Sequence, residues 1–194
     1  MLEVCNLTKI YNELWKKNIA CNNVSFTVEE GEIASLLGLN GAGKSTILKI
    51  ISGVLLPTSG DVFISGKSIL SHPIQAKKEL GILYENAPLY PDMTIEEFLM
   101  FSIQMRGIQK REAIDICQNA IEVSELEEVK TKKIHTLSKG FKQRVAFASV
   151  LCYDPRILIL DEPTSNLDAI QLKAFYKRIL QQDKTKSVLI STHN

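Results

Sequence analysis

Gly38, Leu39, Asn40, Gly41, Ala42, Gly43, Lys44, Ser45 and Thr46 follow one another in the chain. Their types and spacing fit G-x-x-x-x-G-K-[ST], a loop that wraps its backbone around phosphate groups. Glycine belongs there because a Cβ would collide with the anion or forbid the positive φ that the loop needs. The flanks agree. Residues 32–37 are an apolar run short enough for a buried strand, and Ile47, Leu48, Ile50 and Ile51 recur at helical spacing before Gly53 as a stop. A strand–loop–helix order turns free N–H groups and the positive end of the helix toward a bound anion. Lys44 can then reach the β- and γ-phosphates of a nucleotide, and the Ser45 hydroxyl suits a Mg²⁺ ion held against the same oxygens. The dinucleotide fingerprint G-x-G-x-x-G does not fit, because counting from Gly41 and Gly43 the third position is Thr46.

A second group of reactive side chains lies far along the chain. Residues 157–160 are an apolar strand that ends on Asp161 and Glu162. Ligands of parallel sheets collect at the carboxyl ends of the strands. Asp161 would therefore face the Mg²⁺ shell beside the phosphate loop, and Glu162 would orient, and deprotonate, an attacking water. Phosphoryl transfer asks for little else than in-line positioning and neutralisation of charge on the γ-oxygens. Alone, a hydrophobic run closed by two acids is a weak motif; the phosphate loop upstream gives it weight.

Around these groups the sequence reads as alternating strands and helices. Residues 2–8 and 22–28 read as strands separated by a polar stretch. Pro57, Thr58, Ser59 and Gly60 mark a turn, and residues 62–64 and 67–69 flank Ser65 and Gly66 as a hairpin. Residues 79–84 read as a further strand. Thr94 and Glu97 form a capping box ahead of Phe98, Leu99, Phe101 and Met105. Helical spacing returns over residues 110–123 and again over 140–152, where Asp154 and Pro155 stop it. Residues 169–182 read as a helix and 187–191 as a last strand. The pattern is a helical lobe inserted between two parts of an α/β core. His72 and His135 match no motif, and Lys130, Lys132 and Lys133 read as a solvated surface.

Composition sets the bounds. The chain has 194 residues, 45% of them apolar and 23% charged. That length suits one domain, or a domain with a lobe, and buries about 70% of the unfolded surface. A net charge of +1 gives no case for a nucleic-acid partner. Cys5, Cys21, Cys117 and Cys152 have no zinc or redox spacing, and fit a reducing compartment. The first residues lack the pattern of a secretory signal, and no run approaches the roughly 18 apolar residues of a membrane span.

Between the phosphate loop and the acidic strand end stand Leu137, Ser138, Lys139, Gly140 and Phe141. With them, the chain resembles the nucleotide-binding domain of ATP-binding cassette (ABC) proteins, over essentially its whole length and with the motifs in order. The resemblance implies an α/β fold: a P-loop NTPase core with an antiparallel β subdomain and an inserted α-helical subdomain at about residues 92–152. It implies one such domain over residues 1–194, truncated after 194, because family domains carry further elements past the switch histidine. It makes Tyr11 the aromatic that stacks on adenine, and Asn40 through Thr46 (Gly41, Ala42, Gly43, Lys44 and Ser45 between them) the phosphate cradle. Residues 137–141 resemble the signature, normally Leu-Ser-Gly-Gly-Gln. Ser165, Asn166, Leu167 and Asp168 resemble the D-loop. His193 resembles the switch histidine, which hydrogen-bonds the γ-phosphate and acts with Glu162 and Lys44. Glu85 stands where the family has the Q-loop glutamine and places a carboxylate near the metal beside Ser45 and Asp161.

The implied cofactors are ATP and Mg²⁺. The implied partners are a second nucleotide-binding domain, as a homo- or heterodimer, and transmembrane permease subunits, with no nucleic acid. Two domains would pack head to tail around two ATP molecules, Ser138 and the Gly140 amide reaching the γ-phosphate held by the other subunit. ATP-driven closure would move the permease through the Glu85 region and the helical lobe. The protein would sit at the cytoplasmic face of the plasma membrane, peripheral through the permease. Residues 81–91 and the Leu-Ser-Lys-Gly of the signature resemble the subgroup that serves ABC-2-type exporters. Two other readings share the motifs: a soluble ABC ATPase acting on ribosomes or DNA, and a truncated module in which ATP only dimerises the chain. The first is disfavoured by a single domain and by the absence of sustained heptads between residues 47 and 136.

Overall fold

The computed structural model describes residues 1–13, 16–163 and 185–192. They fall into two units, one holding Met1–Ile82, Pro155–Pro163 and the described residues of Ile179–Asn194, the other holding Leu83–Asp154. In chain order the first unit runs β1 (Leu2–Glu13), β2 (Lys16–Val28), β3 (Ile33–Leu37), α1 (Lys44–Ile51), β4 (Ser59–Ile64), β5 (Lys67–Ser68), α2 (Pro73–Lys78) and β6 (Leu80–Leu83). The second unit contributes α3 (Ile95–Met105), α4 (Lys110–Val123) and α5 (Lys139–Leu151), after which β7 (Ile157–Asp161) and β8 (Ser187–Thr192) return to the first.

The first unit holds two sheets. One has the order β2-β1-β4-β5 and the other β3-β8-β7-β6. The antiparallel sheet corrects the expectation of two short strands at 2–8 and 22–28 with a polar stretch between them. The polar stretch is itself hairpin: Lys9 pairs with Cys21, Ile10 with Ile19, Tyr11 with Asn18 and Asn12 with Lys17. A backbone ladder with outward-facing side chains needs no hydrophobic pattern, so periodicity alone could not find it. Bulges interrupt the ladder where Asn6 and Asn23 take φ of 49° and 51°. Asparagine tolerates that region, and side chains secure both sites: Ser25 Oγ accepts from the Asn6 amide at 2.8 Å, and Thr8 Oγ1 from the Asn23 amide at 2.9 Å. Gly60 fits into the same irregularity. At φ 86° its missing Cβ would lie 2.5 Å from the carbonyls of Cys5 and Asn6. Ser59 and Gly60 therefore belong to β4 rather than to the preceding turn. The expected hairpin at Ser65 and Gly66 is present, with both residues at positive φ and Phe63 opposite Ser68.

In the second sheet β8 lies parallel between β3 and β7. β7 is buried along residues 157–160, as its continuous apolar run demands. β3 differs from expectation. Its side chains alternate between exposed and half-buried, with Leu37 66% exposed. The reason is its place at the end of the strand order, paired among the described strands with β8 alone.

Helix α1 belongs to one apolar core with both sheets. Ile47, Leu48, Ile50 and Ile51 are buried together with Leu2, Leu7, Val28, Val62 and Ile64 of one sheet and Ile157, Ile159 and Leu189 of the other. Each such side chain contributes about 1.5–3 kcal/mol by leaving water.

The second unit is helical around its own core, which includes Ile95, Phe98, Leu99, Ile103, Cys117, Ile121 and Val145. The capping box read at Thr94 and Glu97 is present in both directions, at 2.7 and 3.2 Å. Several bonds tie the segment before α5 to the residues that lead into α3: Lys130 O accepts from the Glu96 amide, Met93 O from the Ile134 amide, Pro91 O from the His135 amide, and Asp92 O from Lys133 Nζ. Helix α5 begins at Lys139, one residue earlier than expected, with Ser138 as its N-cap. The helix expected at 169–182 lies outside the described residues. Among the described residues no helix is long and apolar enough to cross a membrane.

Two outcomes follow. Ile50→Ala should lower unfolding free energy by about 2–5 kcal/mol, read from a denaturant curve. Burial pushes the Cys152 thiol up to about 12 and the Cys117 thiol up to about 11, so both stay protonated at neutral pH. A thiol reagent at pH 8 should therefore label the half-exposed Cys5 first, and reach Cys117 and Cys152 only after unfolding.

Candidate nucleotide-binding site

The site is built where three parallel strands end together. β3 runs out at Leu37 directly before the glycine loop, β7 ends on Asp161, and β8 lies between them, Leu36 and Asp161 both standing opposite Ser191. The loop turns on a bond from the Ala42 amide to Leu39 O at 3.1 Å and enters α1 at Gly43. Gly41 and Gly43 take φ of 85° and 90°. The two glycines have different reasons. A Cβ on Gly41 would meet nothing within 4 Å, so only its φ calls for glycine. A Cβ on Gly43 would stand 2.0 Å from the Ala20 carbonyl of β2. The loop thus lies against the antiparallel sheet at Gly43, where a side chain would collide with β2.

Lys44 is the first residue of α1 and is 8% exposed. Its ammonium donates to Gly38 O at 2.6 Å and Leu39 O at 3.3 Å and lies 3.8 Å from Glu162 Oε1. The loop carbonyls bend the lysine back over its own loop, which is where phosphate oxygens would gather. Asn40, Ala42 and Ser45 are exposed and Thr46 half-buried at the same mouth. Asp161 and Glu162 are both half-buried at the end of β7. Glu162 takes φ 49°, a left-handed conformation unusual for a side chain of its kind.

Ser191 was not singled out by its sequence, and it is the centre of this arrangement. It is fully buried. Its hydroxyl donates to Asp161 Oδ1 at 2.6 Å and accepts from the Glu162 amide at 3.0 Å. The only sequence signal was a serine inside an apolar strand, near its carboxyl end.

The other expected residues stand as follows. Tyr11 lies on β1, with the Lys9 ammonium 5.4 Å from its ring centroid and bonded to Leu56 O at 2.8 Å. In the second unit, Ser138 Oγ accepts from the Phe141 amide at 3.4 Å, and a Cβ on Gly140 would meet nothing within 4 Å. Glu85 is exposed in the turn after β6. Ser165, Asn166, Leu167, Asp168 and His193 lie outside the described residues. The structure therefore brings Lys44, Asp161 and Glu162 together at the loop. Among the described residues no three His, Cys, Asp or Glu side chains gather as a metal cage. The Ser45 hydroxyl and the Asp161 carboxylate are hard oxygen ligands, and a pair of this kind beside phosphate suits Mg²⁺, which keeps several waters and needs few protein ligands.

A glycine loop between strand and helix, with an acid-tipped parallel strand alongside, defines a P-loop NTPase core. The comparisons narrow this. The sequence model of the family described as ABC transporter matches residues 21–165. The chain is 34% identical over its full length to the probable multidrug ABC transporter ATP-binding protein YbhF of Escherichia coli, of which it covers 33%. It is 33% identical, over 97% of its length, to the Fe(3+) ions import ATP-binding protein FbpC 1 of Haemophilus influenzae, of which it covers 57%. It also matches the human phospholipid-transporting ATPase ABCA3 at 30% identity, spanning 11% of that protein. Among solved structures, a dimeric post-hydrolysis state of the ATP-binding cassette MJ0796 bound to ADP and Pi superposes with a TM-score of 0.88 at 28% identity, covering all of this chain and 88% of that one. The chain belongs to the ABC transporter family.

The two loop glycines can be separated experimentally. Gly43→Ala should lower the melting temperature more than Gly41→Ala, because the first adds a clash with backbone to the left-handed strain of about 1–2 kcal/mol that both incur. Differential scanning calorimetry of the two variants measures the difference.

Proposed function

We propose that this chain binds ATP with Mg²⁺ and hydrolyses it as the nucleotide-binding subunit of a transporter, paired with a second such domain and attached to separate permease subunits at the cytoplasmic face of a membrane. The observation that carries the reading is the meeting of Lys44, Asp161 and Glu162 at the mouth of the glycine loop, Lys44 Nζ standing 3.8 Å from Glu162. Residues 40–46 hold the phosphates through backbone N–H groups at the start of α1. Lys44 swings from the carbonyls of Gly38 and Leu39 to the β- and γ-oxygens and neutralises charge there. Tyr11 stacks on the adenine, braced by the Lys9 ammonium. Ser45 and Asp161 would hold Mg²⁺, which lowers the charge on the phosphate oxygens when bound.

Glu162 orients a water for attack on the γ-phosphorus and takes its proton, while the bond from that phosphorus to the β–γ bridging oxygen breaks and that oxygen leaves with its electron pair on ADP. His193 contacts the γ-phosphate. Glu85 is the carboxylate of the metal's outer surroundings and of the coupling region. Ser138 and the Gly140 amide, at the start of α5, contact the γ-phosphate held by the second domain. The dimeric cassette among the similar structures and the transporter names of the relatives support this pairing and this setting.

Light scattering of Glu162→Gln tests the paired site. Removing the proton acceptor leaves ATP bound, so MgATP should convert monomer to dimer, and a chain that binds ATP and stays monomeric would count against pairing through its own two sites. In parallel, Mg²⁺-dependent phosphate release should disappear in Lys44→Ala.

A further inference from the structure

Two carboxylates at adjacent positions need different directions, one toward a metal and one toward a water. A β-strand gives alternate residues opposite faces, but it does not fix the φ of the residue that follows its end. In this chain Glu162 leaves the strand at φ 49°. A glutamate does not rest there without support, and such conformations persist where surrounding structure holds them. The support is visible: the Glu162 amide donates to Ser191 Oγ at 3.0 Å, and the same hydroxyl donates its proton to Asp161 Oδ1 at 2.6 Å. Ser191 is fully buried, and the parallel ladder sets it opposite Asp161 on one side and Leu36 on the other. One hydroxyl therefore sets the direction of the carboxylate on Asp161 and the backbone turn that aims Glu162.

We propose that Ser191 is a positioning residue of the hydrolytic site, acting through Asp161 and Glu162 rather than on the nucleotide. The inference rests on the roles proposed above for those two acids. Its hydrogen bond to Asp161 holds one carboxylate oxygen and leaves the other for the metal's surroundings. Its acceptance of the Glu162 amide fixes the left-handed turn, so that the glutamate side chain points to the loop beside Lys44. Ser191 is also two residues before His193 on the same chain segment.

Three substitutions in the full chain separate this role from packing. Ser191→Ala removes the hydroxyl. Ser191→Thr keeps it and adds a methyl. Ser191→Cys keeps the size and offers only a weak donor and acceptor. Loss of a partner that orients a metal ligand typically costs about 10–100-fold in metal affinity or activity. Ser191→Ala should accordingly lower kcat for phosphate release by about 10–100-fold, while KM for MgATP rises by no more than the roughly tenfold loss of Mg²⁺-dependent affinity. Calorimetric titration gives a readout that does not need turnover: ATP affinity without Mg²⁺ should be unchanged, and the gain on adding Mg²⁺ should shrink by about tenfold. Ser191→Thr should recover both properties and Ser191→Cys should resemble Ser191→Ala.

A residue that merely fills space gives the reverse order, with cysteine tolerated and threonine damaging. That order, or an alanine variant with wild-type kcat and wild-type Mg²⁺ gain, overturns the proposal. If Ser191→Ala does not fold, the cysteine and threonine pair decides. If Glu162→Gln hydrolyses ATP normally, the assignment of the glutamate fails instead, and the Mg²⁺-dependent affinity judges Ser191 through Asp161 alone.

Discussion

The approach of Gly43 to the Ala20 carbonyl is the constraint from which the nucleotide site is built. A Cβ at that position would stand 2.0 Å from the carbonyl oxygen, so the first turn of α1 can lie against β2 only with glycine there. That contact fixes where the loop sits relative to the antiparallel sheet, and hence where Tyr11 lies relative to Lys44. The buried isoleucines of α1 then bind the same helix into a core shared with the parallel sheet, which carries Asp161 and Glu162. Glycine adopts the left-handed backbone at positions 41 and 43 without steric cost, and the loop is held both by the apolar packing of α1 beneath it and by its own bonds from Ala42 and Lys44.

The chemistry was legible because it depends on residue type at fixed spacing. The loop of residues 38–46, the acids at 161 and 162 and the capping box at Thr94 each satisfy a local requirement that a few neighbours can state. Strand ends were less legible. Nothing in Lys9, Asn12, Lys17 or Asn18 marks a ladder, since an exposed hairpin is specified by pairing with its partner and not by its side chains. The exposure of β3 was hidden for a related reason: an apolar run reads the same at an edge and in the middle of a sheet, and only strand order tells them apart. Ser191 was hidden more deeply. Its importance comes from two hydrogen bonds to residues about thirty positions away, and a lone serine in a strand carries no signature of that.

The site also shows how charge is managed before any nucleotide is considered. Lys44 is nearly buried, and a buried ammonium is costly unless its donors are satisfied. Two loop carbonyls and Glu162 surround it. The cation is thereby held beside the glycine loop by the loop's own oxygens. Asp161 is treated in the same way by the Ser191 hydroxyl. Both charged groups are thus held by hydrogen bonds from the protein itself.

In the helical unit, the tie between the start of α3 and the residues leading to Ser138 has a mechanical meaning. Carbonyls of Asp92 and Met93 and the amide of Glu96 grip Lys133, Ile134 and Lys130, with Thr94 bridged to Lys133. Only His135, Thr136 and Leu137 then separate Ile134 from the cap of α5, and Ile134–Thr136 is itself a tight helical turn. The connection is too short and too well bonded to absorb slack. The position of Ser138, the cap of α5, is therefore tied through a short bonded connection to the entrance of α3, some forty residues earlier in the sequence.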